Sequence, residues 1–525
     1  MGDRDNLPEL QKGWVWVTLQ MVANAIDPQP SHRTPPTVDG GIPYVGMGDV
    51  GKDGKINLEK ARKVSSKVLE EHRERYRLTP GDFIFGKIGT LGKPVKLTQP
   101  FNYALSANVV LIQPKSEYLN PTFAFTYMVS RLVERLLIEG SRATTQAAFG
   151  IQKVRLIPFP LPPLAEQHRM VAKIEELFSE LDAGVELLKK LKAKLKRYRQ
   201  AVLKAAVEGK LTKDWREVHQ GELEPASVLL ERILKERREK WEAEQLAQMK
   251  AKGKTPKDDS WKLKYKEAIA PDISDLPELP KAWVWVTVEQ VVDVGTGATP
   301  LRSNPNYYEL GTIPWVTSGA LNEAFVTQAD ERITELAIQE TNAKVFPVHT
   351  LLVAMYGEGK TRGKVSELLI EAATNQACAA LLFDGIASVT RPYIKIYFQK
   401  NYDDIRRLSS GGVQPNLNLG IIKATRIPLP PLEEQKQIVE ELERIFSVNE
   451  SLEKTIDQNL KRAEKLRQSI LKKAFEGKLV PQDPTDEPAD KLLERIKAEK
   501  AKREIEAKVK KKRKQPGKSQ QLKLF

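Results

Sequence analysis

Two glycine-rich stretches hold most of the chemistry this sequence could perform. Gly86-Lys87-Ile88-Gly89-Thr90-Leu91-Gly92-Lys93 and Tyr356-Gly357-Glu358-Gly359-Lys360-Thr361-Arg362-Gly363-Lys364 each follow a short apolar run, Asp82-Phe83-Ile84-Phe85 and Leu351-Leu352-Val353-Ala354. Glycine lets backbone N–H groups approach a phosphate, and Lys or Arg neutralises phosphate charge or contacts guanine. Lys87, Gly89, Thr90, Lys93, Tyr356, Lys360, Arg362 and Lys364 are therefore candidate DNA-facing residues. A tight turn with incidental lysines is the plainer alternative. A second chemistry competes for the same residues. Ala354 to Thr361 ends like a nucleotide-binding P-loop, with Ala where the first Gly belongs, and Leu381-Leu382-Phe383-Asp384 could supply its magnesium partner. Against that reading, the matching loop in the first half ends Gly92-Lys93-Pro94, where a hydroxyl is required, and Arg362-Gly363 weakens any helix opening from the second.

Other chemistries find no support. The single cysteine, Cys378, lies between alanines and reads as core packing; one cysteine allows neither an internal disulfide nor a Cys-based zinc site. Five histidines are present, and no two stand at ligand spacing. Pro271-Asp272 with Glu278 and Lys281 has the wrong spacing for a nuclease. The Asn/Asp-Pro-Pro-aromatic signature of amino-methyltransferases is absent. No catalytic residue and no metal ligand is assigned.

A formal net charge of +15 favours a polyanionic partner, nucleic acid ahead of a membrane. The first residues are charged, and no run of about 18 apolar residues occurs, so a cytoplasmic protein without a membrane partner is expected. With 41% hydrophobic residues, 525 residues imply several domains.

The elements that must position these loops are laid out by duplication. Leu7-Pro8-Glu9-Leu10-Gln11-Lys12-Gly13-Trp14-Val15-Trp16-Val17-Thr18 returns as Leu276 to Thr287 with ten of twelve positions identical, displaced by 269 residues. Pro162-Pro163-Leu164-Ala165-Glu166-Gln167 returns as Pro430 to Gln435, and Glu208-Gly209-Lys210-Leu211 as Glu476 to Leu479, displaced by 268. Between these ends, residues 19–160 and 288–428 have diverged, and both read as mixed α/β with short strands. The pattern is alike at the joints and different in the middle, as expected of two domains that read different things from one scaffold. Each half closes on a proline-punctuated segment, Ile157 to Pro163 and Ile427 to Pro431, which predicts a stiff extended lead-in.

Past each lead-in the apolar period becomes heptad. Ile174, Leu177, Leu181, Leu188, Leu191 and Leu195 form one seam, and Leu442, Ile445, Leu452, Ile456, Leu466 and Ile470 the other. The spacing predicts a first helix of roughly 60 Å. A narrow stripe cannot be buried alone, so the two copies are expected to pair, antiparallel by the path of the chain. Asn449 and Asn459 on the second seam either fix its register or turn to solvent. A third echo, Glu224-Pro225-Ala226 with Leu229 to Ile233 against Glu487-Pro488-Ala489 with Leu492 to Ile496, marks charged helices that either dock partners or stay solvated.

Repeated Trp-Val-Trp entries, Ile427-Pro428-Leu429-Pro430-Pro431-Leu432 lead-ins, long helices ending Glu-Gly-Lys-Leu, and the stretch Ser409 to Asn418 closely resemble the specificity subunit of Type I restriction–modification enzymes. The first half departs in part, with Thr144 to Phe149 in place of Gly412 to Leu417. The resemblance covers nearly the whole chain. It implies two α/β target-recognition domains, each reading half of a split double-stranded DNA site and separated by long antiparallel coiled-coil helices. The helices would set the gap and recruit two methyltransferase subunits and restriction–translocase subunits. S-adenosylmethionine, ATP and magnesium would then sit in those partners and not in this chain. The expected division is 1–160 and 276–430 for recognition, 161–275 and 431–480 for the spacers, and 481–525 for a charged helix and basic tail. Residues Gln521 to Phe525 also resemble a sliding-clamp-binding peptide. A coiled-coil scaffold without sequence reading and a P-loop enzyme remain the alternatives.

Overall fold

The computed structural model describes residues 7–31, 33–51, 53–87, 92–139, 150–256, 258–357, 360–408 and 416–513, without the side chains of 138, 139, 408, 503, 504 and 507–513. Gly89, Thr90, most of Ser409 to Asn418, Thr144 to Phe149 and the peptide Gln521 to Phe525 lie outside the described residues. The chain forms two compact units, Met1–Lys189 with Asp457–Phe525, and Lys190–Ile456. The boundaries fall inside the long helices, so each unit holds one variable domain and part of both helices.

In the first unit an antiparallel sheet runs Ala23–Ile26, Val109–Pro114, Phe83–Gly86, Pro94–Lys96, beside a smaller sheet of Arg62–Val64, Ile42–Val45 and Ala104–Leu105. The second unit repeats this order with Asp293–Thr296, Cys378–Leu382, Leu351–Ala354 and Val365–Leu368, extended by Phe325–Val326. Its smaller sheet repeats too, as Glu331–Ile333, Ile313–Val316 and Ala372–Thr374, extended by Val345–Phe346. The diverged middles therefore share one topology. The central runs are apolar throughout because both faces of the sheet are covered. Phe83, Phe85, Val110 and Ile112 enter one core, and Ile84, Val109 and Leu111 enter another. Likewise Leu351, Val353 and Leu381 point one way, and Leu352, Ala354 and Cys378 the other. Burial pushes the Cys378 thiol up to about 12, as the core reading requires.

The proline lead-ins are strands. Pro158–Leu161 pairs antiparallel with Val15–Thr18, and Arg426–Leu429 with Val284–Thr287. A two-stranded ribbon tolerates prolines whose missing N–H would face outward. Each ribbon is fastened to the helix that follows. Trp14 Nε1 donates to Glu166 Oε2 at 3.0 Å, and Trp283 Nε1 to Glu434 Oε2 at 2.8 Å. Gln167 and Gln435 donate to the carbonyls of Pro162 and Pro430 at 3.0 and 2.9 Å. The identical residues at the ends of the repeat thus make the same bonds twice.

The long helices are Leu164–Val207 and Leu432–Phe475, 44 residues each. In the first unit the Arg467 guanidinium lies 4.3 Å over the Phe178 ring and pairs with Asp182. In the second, Arg199 lies 4.4 Å over Phe446. These two contacts are copies of one another, since Phe178 and Phe446, like Arg199 and Arg467, stand 268 residues apart. Both set the late part of one helix on the early part of the other, which is the antiparallel order. Charge favours the same order. Before Lys189 the first helix carries six acidic and two basic residues, whereas Lys189 to Lys204 carries eight basic and none acidic. The second helix is polarised the same way, with seven acidic and three basic residues up to Ile456, then six basic and two acidic. Acid near a helix N-terminus and base near its C-terminus suit the macrodipole. Within each unit an acidic segment then lies beside a basic one.

The seam is only partly closed. Ile174, Leu195, Leu442, Ile456 and Ile470 are buried, and Leu177, Leu181, Leu188 and Ile445 half-buried. Leu191, Leu452 and Leu466 remain 43%, 44% and 50% exposed. Asn449 is buried with its Nδ2 unpaired, and Asn459 faces solvent. The charged helices Ala226–Ala251 and Ala489–Arg513 are not free over their whole length. Ala226, Leu229 and Ile233 pack into the core of the second unit, and Ala489, Leu492 and Ile496 into that of the first. Among the described residues no helix is long and apolar enough to cross a membrane.

Candidate nucleic-acid interface

The second glycine-rich stretch is the turn between antiparallel strands Leu351–Ala354 and Val365–Leu368. Gly363 takes a φ of +85°, and a Cβ there would stand 3.1 Å from Ile405 and 3.2 Å from Arg406, so the turn can lie against helix Arg391–Leu408 only through glycine. Two bonds fasten it there: Tyr402 Oη to the Lys360 carbonyl at 2.6 Å, and Arg406 to the Arg362 carbonyl at 2.8 Å. On its other side Lys364 Nζ donates to Asn322 Oδ1 at 2.9 Å and Thr361 Oγ1 to the same oxygen at 3.4 Å. Tyr356 and Lys360 are exposed; Arg362 and Lys364 are half-buried.

Three more segments meet this turn at the same end of the sheets. Met355 N–H donates to the Ala377 carbonyl at 2.8 Å, which brings in Asn375 and Gln376. Thr299 Oγ1 donates to Gln376 Oε1 at 2.6 Å, which brings in the segment after strand Asp293–Thr296. Leu417 N–H donates to the Met355 carbonyl at 3.1 Å, which brings in the chain just past residues 409–415. Tyr356, Lys360, Arg362 and Lys364 are thus gathered with amides and hydroxyls from separate loops. The groups are suited to phosphate neutralisation and base-edge hydrogen bonding.

The P-loop alternative fails here on geometry. Thr361 is held by Asn322, and the chain passes from Gly363 directly into strand Val365–Leu368, where a P-loop must open a helix to aim N–H groups at phosphate. Asp384, its would-be magnesium partner, is paired with Lys240.

In the first unit the corresponding turn joins Phe83–Gly86 to Pro94–Lys96. Lys93 is exposed and Gly92, with φ +71°, lies against Leu137 of helix Arg131–Glu139. Here too the turn rests on the helix that precedes, in sequence, the counterpart of Gly412 to Leu417, as Arg391–Leu408 does in the second unit. Ser106 N–H donates to the Val45 carbonyl at 2.8 Å, as Asn375 does to Val316 at 3.1 Å. Lys87 does not reach outward. It is 6% exposed, and its Nζ is 3.0 Å from Asp27 Oδ2, so it fixes the base of the turn. Sequence reasoning placed it with the DNA-facing lysines because a partner 60 residues away leaves no local signal. For the same reason it passed over Thr299, Asn322 and Gln376, polar residues in short separate loops.

The two fastenings behind these ends differ in strength. Glu434 is fully buried and receives Trp283, Thr212 Oγ1 at 2.7 Å and Arg216 at 2.5 Å. Glu166 is buried too, and burial holds its carboxyl above the usual range against the Trp14 bond, the Arg169 charge and a bond from Gln482.

Two α/β domains of one topology, each strapped to antiparallel helices and presenting a different polar loop end, define a duplicated recognition protein. The comparisons agree. Residues 11–197 and 280–462 match the family described as Type I restriction modification DNA specificity domain, and the chain belongs to that family. It is 27% identical to the EcoDI specificity subunit of Escherichia coli over 72% of this chain and 76% of that one. With the EcoKI specificity subunit of Escherichia coli K12 it shares 25%, over 82% and 83%. The crystal structure of the HsdS subunit from Thermoanaerobacter tengcongensis shares its fold, with a TM-score of 0.50 at 20% identity over 90% of this chain and 99% of that one. A chain solved in work on assembly and conformational transition of the type I R-M system gives a TM-score of 0.59 at 20% identity, over 90% and 100%.

Proposed function

We propose that this chain is the DNA-reading subunit of a Type I restriction–modification complex in which each unit reads one half of a split site. The observation that carries this reading is the contrast within the repeat. Trp14–Glu166 and Trp283–Glu434 make the same bond, while the loop ends they support carry different residues. Lys93, Lys360, Arg362 and Lys364 would meet DNA, with phosphate contacts giving register and loop amides giving sequence. Lys87 would position its turn. Gly89 and Thr90 keep the role that their stretch of sequence suggests.

The antiparallel helices would hold the gap between half-sites. Partner methyltransferase and restriction–translocase subunits would carry S-adenosylmethionine, ATP and magnesium and perform the chemistry. The half-open seam supports docking there, since Leu191 and Leu452 offer apolar surface on the helices of the second unit. The test is a swap of residues 288–428 for those of another member, read by sequencing modified adenines in a methylation-free host. One half-site should change and the other should stay; a change in both, or in neither, contradicts separate reading. One extra turn in each long helix should lengthen the gap and leave both half-sites as they were, and altered half-sites would refute the spacer role.

A further inference from the structure

We infer that Gln376 reads a base for the second unit and that Thr299 positions it, an inference that rests on the proposed DNA-facing role of this loop end. Only three residues, Asn375, Gln376 and Ala377, join strand Ala372–Thr374 to strand Cys378–Leu382. Asn375 is committed inward, its N–H to the Val316 carbonyl at 3.1 Å and its Oδ1 to Ala377 N–H at 3.1 Å. Gln376 projects to solvent, and its Oε1 takes the Thr299 hydroxyl at 2.6 Å.

Three hydrogen bonds hold the backbone on both sides of Thr299. Thr296 Oγ1 donates to the Cys378 carbonyl at 2.9 Å, Trp315 Nε1 to the Ala298 carbonyl at 3.1 Å, and Tyr308 Oη to the Pro300 carbonyl at 2.6 Å. Gly297 lies so close to the partner loop that a Cβ would stand 1.7 Å from the Thr374 carbonyl oxygen. That approach is possible only for glycine.

The result is an exposed amide whose direction is set before DNA arrives. Its NH2 has no bond among the described residues, and its oxygen keeps a second lone pair. One donor and one acceptor side by side match adenine N7 and N6–H in the major groove. Fixing such a group beforehand lowers the entropy lost on binding. Lys360 and Lys364 stand across the same loop end for the flanking phosphates. In the first unit Ser106 occupies the place of Asn375, which puts Ala107 where Gln376 stands, so that unit reads without this amide.

The experiment uses the full chain co-expressed with its methyltransferase subunit in a methylation-free host, with modified adenines mapped by sequencing. Gln376→Ala should retain a two-part motif, leave one half unaltered, and lose about tenfold of the preference at a single position of the other half. Thr299→Val should weaken preference at that same position to a smaller extent. Lys360→Ala should reduce methylation at all sites without altering the motif. An unchanged motif in Gln376→Ala, or a uniform loss of methylation, overturns the inference. Should Gln376→Ala be insoluble, Thr299→Val decides alone, and an unaltered motif there counts against it. Absence of any two-part motif with the unsubstituted chain defeats the DNA-reading proposal itself, and with it this inference.

Discussion

At the scale of single residues, burial decides which side chains remain available. His72, in helix Ser66–Arg75, is enclosed between Gln29 Oε1 at 2.8 Å and the Tyr76 hydroxyl at 2.8 Å, so both ring nitrogens are satisfied in the neutral form. Burial first, and the Arg75 charge second, lower its pKa from 6.5 to about 4. The unfolded chain binds a proton below about 6.5 and the folded chain only below about 4. Stability is therefore unaffected above that window and declines as pH falls through it, by at most about 3 kcal/mol. A His72→Asn variant should show a flatter dependence of the urea midpoint between neutral pH and pH 4.5; an unchanged slope would refute this account. The same logic removes Lys87 from the DNA-facing set. A lysine within a glycine-rich turn looks available in sequence, and only the fold brings Asp27 to it.

At the scale of elements, the strap between ribbon and helix transmits position to the loop ends. Its parts were legible as repeated residues: the Trp entries, the prolines and the Glu-Gln pair recur because each makes one bond in each unit. The heptad seams were legible as period, and Ile174, Leu195, Leu442 and Ile470 are buried accordingly. What period could not tell is how much of the seam the helices cover by themselves, and Leu191 and Leu452 stay exposed although both stand on the seam. Leu191→Asp with Leu452→Asp should reduce co-purification of the methyltransferase subunit while the isolated chain melts nearly as before; undiminished co-purification would exclude docking there. The straps also predict unequal responses. Arg216→Ala leaves the buried Glu434 carboxylate short of its cation and should cost the second unit about 3–5 kcal/mol. Glu166→Gln in the first unit neutralises a carboxyl that burial already holds above the usual range and should cost under about 1 kcal/mol. Denaturant melts of the two variants test the asymmetry, and equal losses would contradict it.

At the scale of the whole molecule, duplication has kept a scaffold and released its reading ends to diverge. Sequence made the scaffold visible because both copies obey the same constraints: a ribbon that must be extended, a helix that must bury one stripe, a carboxylate that must meet an indole. It left the reading ends obscure because they are assembled from four or five loops far apart in the chain, each too short to show a period. Residues 297–300, 318–322, 356–357, 360–364 and 375–376 converge only through the order of strands in two sheets. The central claim is that two different ends on one scaffold specify a DNA site in two parts. The most direct measurement is a single-molecule map of modified adenines in a methylation-free host that expresses this chain with its methyltransferase subunit. The account predicts two short motifs separated by a fixed unspecified gap; a single continuous motif, or none when both proteins are soluble and associated, would contradict it.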